Sequence, residues 1–183
     1  MKKLLVLLSL ALILCIMTGC SDKEAMAELE AFRAQAEVEE YNKTLIKQYY
    51  DAFLNGDTET LRVILAPDYV WHTGFEPDFS LEETLKDVKK QMVMYSDRTY
   101  SVEDLIAKGD KVVVRYIVRG VHTGDVEGFP ATGNTFKASS IEIIRIEKGK
   151  IAESWEEYDD LGHYEQLGME LKMKKGMSNV PIQ

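Results

Sequence analysis

The fold is decided by two neighbouring stretches, FKASSIEIIRIE (Phe136–Glu147) and KIAESWEEY (Lys150–Tyr158), joined by Lys148-Gly149. Apolar residues alternate with polar ones in both stretches, which is typical of half-buried β-strands. A glycine in the short connection is typical of a tight hairpin turn. The run KVVVRYIVR (Lys111–Arg119) upstream also predicts a strand. The carboxyl-terminal half of the chain therefore predicts an antiparallel meander that ends in a β-hairpin.

The register of this hairpin decides which side chains share a face, because a shift of one residue moves a strand's side chains to the other face. A three-residue loop over 147–149 places Glu142 opposite Ser154 and diagonal to Glu156 on one face. The same face then holds Ser140, Ile144 and Tyr158, and the other face holds Ile141, Ile143, Ile151 and Trp155. A two-residue loop changes this register and turns one strand over, so both registers stay open.

The amino-terminal half of the chain has a helical period instead. An amphipathic helix begins near Asn42 and stops at Asn55-Gly56. A second short helix ends at Pro67, and Ser80-Leu81-Glu82-Glu83 has the spacing of a capping box that opens a third. Further elements are predicted as strands at 69–72 and 101–107, a turn at 108–110 and a closing helix at 161–167 capped by Asp159. This order, helices first and then an antiparallel meander, predicts an α+β domain.

Six stretches along this domain resemble the SnoaL-like polyketide cyclases, also called ester cyclases, of the nuclear transport factor 2-like superfamily. They are YDAFLNGD (50–57), LAPDY (65–69), GVHTG (120–124), GFPATG (128–133), RIEKGKI (145–151) and WEEYD (155–159). The resemblance covers residues 42–168. It implies a cone-shaped fold in which N-terminal helices pack on a strongly bent antiparallel sheet around one deep apolar pocket.

The resemblance also implies a chemistry. Characterised members close a ring on a polyketide ester by intramolecular aldol condensation without metal or cofactor, using an Asp on the last strand and a His on the preceding strand. Carried over by position, these sites fall on Glu156 and Glu142. The hypothesis is that Glu156 is a base and Glu142 a protonated donor or ligand-orienting group, because two carboxylates in an apolar pocket raise each other's pKa. The alternative is that both are solvated acids on an exposed face.

Other residues are candidates for the same site. His72, at the end of a strand, and His122, in a Gly-x-His-x-Gly loop, could polarise a carbonyl or share a proton with a glutamate. His163 is expected on the surface. A divalent metal held by the two histidines and two glutamates has no supporting spacing motif, so no metal or cofactor is predicted. The predicted substrate-binding residues are Trp71, Tyr50, Phe53, Met92, Tyr116 and Phe129.

The amino terminus predicts an export signal. Lys2 and Lys3 precede an apolar run, Leu4–Met17, which is shorter than the ~20 residues of a membrane-spanning helix. The following Met17-Thr18-Gly19-Cys20 resembles a lipobox, which implies cleavage before Cys20 and its diacylation; an ordinary signal peptide is the alternative. The predicted segments are a signal peptide (1–19), a lipidated helical tether (20–41), the domain (42–168) and a tail (169–183). This predicts a protein anchored to the extracytoplasmic side of the cell membrane.

Composition limits the possible partners. The 183 residues are 45% apolar with a net charge of −9, which supports one globular domain and disfavours binding to nucleic acid. Ile141, Ile143, Ile151 and Trp155 are too apolar for a face in water, so they predict a homodimer interface or core packing with the faces reversed. Two functions stay open: an acid/base enzyme that cyclises or isomerises a small apolar carbonyl compound, and a lipoprotein that binds a small hydrophobic molecule at the cell envelope.

Overall fold

The computed structural model describes residues 2–74, 77–125, 130–170 and 172, with side chains from residue 22 onward. The predictions for the Cys20 side chain and for Phe129 therefore lie outside the described residues. The chain divides into two compact units, Met1–Tyr41 and Asn42–Gln183. Within the part that the structure describes, no helix is both long and apolar enough to cross a membrane.

The described residues form four helices: α1 (Lys2–Asn55), α2 (Thr58–Ile64), α3 (Leu81–Met94) and α4 (Asp160–Gln166). The predicted tether and first domain helix form one continuous helix, α1. It ends where Gly56 adopts a positive φ of 68°, a conformation that favours glycine. The predicted capping box of α3 is confirmed, since the Ser80 hydroxyl accepts from the Glu83 N–H and the Glu83 carboxylate accepts from the Ser80 N–H. Asp159 caps α4 as predicted.

In the part of the chain that the structure describes, six strands form one sheet: β1 (Leu65–His72), β2 (Phe79–Ser80), β3 (Tyr95–Lys108), β4 (Lys111–His122), β5 (Thr135–Glu147) and β6 (Lys150–Tyr158). Their order in the sheet is β2-β1-β6-β5-β4-β3. The predicted meander is confirmed, because β3 to β6 pair antiparallel in sequence order. One pairing departs from the predicted antiparallel sheet, since β1 pairs antiparallel with β2 but parallel with β6.

Strand β1 begins earlier than predicted and includes Pro67. The second helix was predicted to end at Pro67, but α2 already ends at Ile64 and β1 follows directly. A proline has no N–H to donate to a strand ladder. The pairing of β1 with β6 shifts between Leu65 and Val70, so Pro67 lies in an irregular stretch where no ladder bond is required of it. Strand β3 likewise starts directly after α3, at Tyr95 rather than Ser101.

The β5–β6 hairpin has the two-residue loop. Lys148 and Gly149 both have positive φ, 51° and 76°, the pattern of a type I′ turn, and Glu147 pairs with Lys150. The pairing then shifts, because Ile146 pairs with Ile151 but the next pair is Arg145 with Glu153. The skipped residue is Ala152.

The shorter loop by itself would turn the side chains of β6 to the other face of the sheet relative to those of β5. The bulge at Ala152 turns them back, from Glu153 onward. Glu142 consequently lies directly opposite Glu156, not opposite Ser154 as the three-residue loop predicted. Ile151 is fully buried and does not belong to the outer face, which corrects the predicted set. Ile141, Ile143 and Trp155 do lie exposed on that outer face.

The bulge makes Ile151 and Ile143 a matched pair of substitutions. We expect Ile151→Ala to lower the free energy of unfolding by about 2–5 kcal/mol, because it removes a fully buried side chain from the core. Ile143→Ala, at a side chain that is 40% exposed, should cost much less. Urea unfolding of both variants measures the difference. Equal costs for the two substitutions would contradict the register of the bulged hairpin.

Candidate active site

A cavity of about 370 Å³ opens between the helices of the domain and the inner face of the sheet. Helices α1, α3 and α4 and strands β1 and β3–β6 all contribute to its wall. Most of the lining is aromatic, and the aromatic residues nearest the acidic groups are Tyr49, Tyr50, Trp71, Tyr100 and Tyr116. A volume of this size accommodates a small organic molecule.

Glu142 and Glu156 line this cavity from neighbouring strands, and we call them the acid pair. Glu142 on β5 is 2% exposed, and Glu156 on β6, directly opposite, is 9% exposed. Glutamate is almost never this buried unless it is paired or hydrogen-bonded. The alternative of two solvated acids does not describe this geometry.

Hydroxyl groups from three different elements hold the acid pair. The Tyr116 hydroxyl on β4 and the Ser140 hydroxyl on β5 both donate to Oε1 of Glu156, the latter at 2.7 Å. The Tyr50 hydroxyl on α1 donates to Oε2 of Glu142 at 2.5 Å. Oε1 of Glu142 has no hydrogen-bond partner among the described residues. Glu156 thus has more hydrogen-bond donors to its carboxylate than Glu142 has.

The acid pair titrates differently from ordinary glutamates. Burial and the charge of Glu156 raise the pKa of Glu142 to about 8. Burial also raises the pKa of Glu156, but the hydroxyls of Tyr116 and Ser140 oppose this rise because they stabilise the charged form. Glu142 is consequently the member of the pair that holds its proton more tightly, and Glu156 is the member whose charge the surrounding hydroxyl groups stabilise. Burial raises the pKa of Tyr50 and Tyr116 well above the ordinary value, so both remain neutral donors.

Two further polar groups lie beside the acid pair. The indole N–H of Trp71 acts on the Glu156 carboxylate and favours its charged form. Its geometry falls short of a hydrogen bond, which leaves a buried donor unpaired among the described residues. On the other side the Ser154 hydroxyl bonds to the Tyr69 hydroxyl at 2.8 Å and also favours ionised Glu142. Two buried polar atoms at the cavity floor, the indole nitrogen of Trp71 and Oε1 of Glu142, therefore have no hydrogen-bond partner among the described residues.

The structure places His72 away from the cavity. Its Nδ1 lies 2.8 Å from Asp78, its Nε2 lies 3.0 Å from Glu153, and its ring stacks on Trp155 at 5.3 Å. The cause is the parallel pairing of β1 with β6, which aligns His72 with Trp155 on the outer face of the sheet. The prediction that His72 belongs to the same site as the two glutamates is wrong, because it does not line the cavity.

His122 is buried but does not line the cavity either. Its Nδ1 accepts from the Thr132 N–H at 3.3 Å and lies 3.2 Å from the Thr132 hydroxyl, and its backbone pairs with residues 133 and 134. These bonds hold together the two ends of the loop after β4. The two histidines and the acid pair are therefore not brought together, and no cluster of three or more His, Cys, Asp or Glu suited to a metal occurs in the described part of the chain.

Comparison with known proteins identifies the family. The model of the SnoaL-like polyketide cyclases matches residues 43–167, which is more than half of the chain. The chain belongs to this family. Membership supports a cyclase role, and the family binds small apolar substrates.

Individual relatives agree with this assignment. Aklanonic acid methyl ester cyclase DnrD of Streptomyces peucetius is 28% identical over 128 residues, which cover 68% of this chain and 88% of DnrD. The structure of TsrD from Streptomyces laurentii has 30% identity and a TM-score of 0.63, over 70% of this chain and 95% of TsrD. A hypothetical protein of Catenulispora acidiphila with a ketosteroid isomerase-like fold has 13% identity and a TM-score of 0.59, over 69% of this chain and 93% of its own. The chain has this nuclear transport factor 2-like, α+β fold.

Two predictions about the cavity wall of this SnoaL-like protein are corrected. Met92 is 43% exposed and packs beside Gly56, outside the cavity, while Met94 of the same helix lines it. His163, expected on the surface, is buried and lines the cavity. Helix α4 packs on β5, so the centre of the His163 ring lies 4.3 Å from the centre of the Phe136 ring.

His163 is one of the residues that sequence reasoning missed at this site, and Arg98 and Tyr100 are others. The Tyr158 hydroxyl lies 3.2 Å from its Nδ1, and burial lowers its pKa to about 4, so it is neutral at pH 7. The sequence does contain a signal for this position. His163 lies one helical turn after Asp159, and Asp159 caps α4 and so fixes this helix on the sheet.

The raised pKa of Glu142 predicts a pH dependence of stability. Because the folded state holds this proton more tightly than the unfolded state, the contribution of Glu142 is most favourable below the unfolded pKa of about 4.3 and decreases as pH rises towards about 8. We expect the free energy of unfolding of the wild type, relative to Glu142→Gln, to fall between pH 5 and pH 8. Urea unfolding at several pH values measures this difference.

Glu147→Gln, at an exposed glutamate of lowered pKa, is the control and should show no such fall. A flat difference for Glu142→Gln would contradict the assignment of the proton.

Proposed function

We propose that this protein closes a ring on a small, largely apolar carbonyl ester by cofactor-free acid/base proton transfer within the acid pair. The observation that carries the proposal is that two buried carboxyl groups lie opposite each other at the floor of an aromatic cavity, with two hydroxyl donors on Glu156 and an oxygen of Glu142 that has no partner among the described residues. The family, and the ester cyclase activity of DnrD, support it.

The proposed steps balance without another reactant. The Glu156 carboxylate removes a proton from the carbon next to a carbonyl, and the un-ionised Glu142 donates a hydrogen bond to the enolate oxygen that forms. The enolate carbon attacks a second carbonyl of the same molecule, which makes the new carbon–carbon bond and an alkoxide. The alkoxide takes the proton back from Glu156. Isomerisation uses the first step followed by return of the proton to another carbon.

The tyrosine and serine hydroxyls give Glu156 its role as the base. Tyr116 and Ser140 stabilise its charge without supplying a proton, because the pKa of Tyr116 lies well above the ordinary value. Glu142 is the more deeply buried of the two, and burial and the charge of Glu156 favour its protonated form more strongly than the hydrogen bond from Tyr50 opposes it. The family's histidine donor is thus replaced by a carboxylic acid that keeps its proton near pH 7.

Substitution of Glu156 tests this assignment. With aklanonic acid methyl ester as the probe, we expect Glu156→Gln to lower the rate of ring closure by about 10²–10⁴-fold, the usual contribution of a general base. Proton exchange at the acidic carbon in D₂O, followed by mass spectrometry, reports the first step even where no ring closes. Glu157→Gln, at the adjacent exposed position, is the matched control and should keep the wild-type rate. Full exchange by Glu156→Gln would exclude Glu156 as the base.

The amino-terminal sequence favours a second candidate, a lipoprotein that binds a small hydrophobic molecule at the cell envelope. Ester cyclisation of polyketides normally accompanies cytoplasmic synthases, whereas the signal-like segment up to Cys20 predicts export. Native mass spectrometry on protein taken from its own membrane tests this candidate. A retained small molecule together with no proton exchange in the D₂O experiment supports binding alone.

We also propose that Cys20 carries the lipid anchor. We expect Cys20→Ala to move the protein from the membrane fraction to the soluble or unprocessed fraction, because diacylation of this residue supplies the two acyl chains needed for stable anchoring. Cell fractionation with detergent phase separation measures the change. Cys15→Ala, inside the apolar run, is the matched control and should remain anchored. A Cys20→Ala protein that stays in the membrane would contradict the lipidation.

The exposed apolar residues on the outer face of the sheet support a homodimer, as a further proposal. Ile141, Ile143 and Trp155 lie there at the surface. Sedimentation equilibrium of the domain gives its mass, and a monomer at micromolar concentration would oppose the proposal.

A further inference from the structure

One cation on the cavity wall has no role in the proposed proton transfers. Arg98, on β3, lines the cavity and is half-buried. Its Nη2 donates to the side-chain oxygen of Gln91 at 2.8 Å and to the Tyr100 hydroxyl at 3.0 Å. Its guanidinium lies over the rings of Phe53 and Tyr100, 5.9 and 5.6 Å from their centres. Neutral groups thus hold Arg98 in one orientation.

The charge of Arg98 is not neutralised by a carboxylate within salt-bridge distance among the described residues. Three other arginines, Arg62, Arg115 and Arg145, each pair with an aspartate or glutamate. The carboxylate of Asp87 feels the charge of Arg98 but accepts instead from a neighbouring amide, at 2.6 Å. In a chain with a net charge of −9, a guanidinium held by an amide, a hydroxyl and two aromatic faces is unusual. Its location on a cavity wall means that a ligand can supply the missing negative charge.

Arg98 is separated from the acid pair by one layer of aromatic rings. The ring of Tyr100, which contacts Arg98, lies 5.2 Å from the ring of Tyr116, and Tyr116 donates to Glu156. Opposite charges act on Tyr100 from both sides, because Arg98 lowers its pKa and Glu156 raises it. The cavity therefore carries the guanidinium of Arg98 on a wall that also holds Asp87 and Lys90, and the acid pair at its floor, with aromatic rings between them.

We propose that Arg98 is a specificity-determining residue that binds an anionic oxygen of the substrate, a carboxylate or an ionised phenol. This inference rests on the proposed function and narrows its substrate class. The substrate is a cyclisable carbonyl compound. Its acidic oxygen lies at the end of the molecule opposite the carbon that loses a proton. Binding this oxygen at Arg98 directs the rest of the molecule towards the acid pair, and like charge keeps the anionic end away from Glu156.

A purely structural role would give Arg98 the same contacts, since Gln91 belongs to α3 and Arg98 to β3. The two roles differ in one measurable quantity, the ratio of affinities for a charged and a neutral ligand of the same shape. Loss of a structural contact lowers stability or both affinities, whereas loss of the anion site changes the ratio.

The experiment uses 2-naphthoate and its methyl ester as matched probes, titrated by calorimetry at pH 7. We expect the wild type to bind the carboxylate about tenfold more tightly than the ester, the usual gain from a charge-assisted hydrogen bond. Arg98→Gln should reduce this ratio to about one, and Arg98→Lys should keep most of it. The control is Lys90→Gln, which removes another cation from the same cavity wall and should leave the ratio in place.

A second variant tests the proposal without removal of the guanidinium. Gln91→Glu places a carboxylate at the 2.8 Å contact with Arg98, so it should abolish the preference for naphthoate even if Arg98→Gln fails to fold. An unchanged ratio in Arg98→Gln or Gln91→Glu would overturn the proposal, as would an equal loss in Lys90→Gln. Proton exchange in D₂O is read separately. A protein that prefers the anion but exchanges no proton keeps the Arg98 site and rejects the cyclase.

Discussion

The burial of two glutamates against each other is the constraint on which the rest of the domain depends. A lone buried carboxylate would lose its hydration without compensation, and two ionised ones would also repel each other. The protein meets this cost by keeping Glu142 protonated and by giving the charge on Glu156 two hydroxyl donors. A stable domain with this pair needs those donors in place, so several distant parts of the chain are arranged around it.

Each donor comes from a different element, and the elements meet because of the topology of the sheet. Tyr50 comes from the last turns of α1, Tyr116 from the middle of β4 and Ser140 from β5. The central position of β5 and β6 in the sheet buries the pair. The bulge at Ala152 is the decisive local feature, because the two-residue turn alone would have directed one glutamate into solvent.

The sequence was sufficient for features that depend on neighbouring residues, and insufficient where distant residues decide. The meander, the capping box at Ser80 and the α4 cap at Asp159 follow from periodicity and local hydrogen bonding, and these predictions are confirmed. The bulge at Ala152 and the parallel pairing of β1 with β6 have no such local signal. Because neither feature was predicted, the predicted positions of two side chains were wrong. The bulge places Ile151 in the core, and the parallel pairing places His72 on the outer face.

The acid pair and Arg98 together give the cavity a direction that an aromatic pocket alone would lack. The members of the family with a histidine beside the acid have a donor that is neutral or positive, so the site as a whole is less negative. With Glu142 in place of that histidine the acid pair carries no positive charge, so a cation that binds an anionic group of the substrate has to come from another part of the cavity. Arg98, one aromatic layer away and held by neutral groups and ring faces, is such a cation on the cavity wall. The departure from the family pattern at one strand and the unpaired arginine at another are therefore best understood as parts of the same electrostatic arrangement.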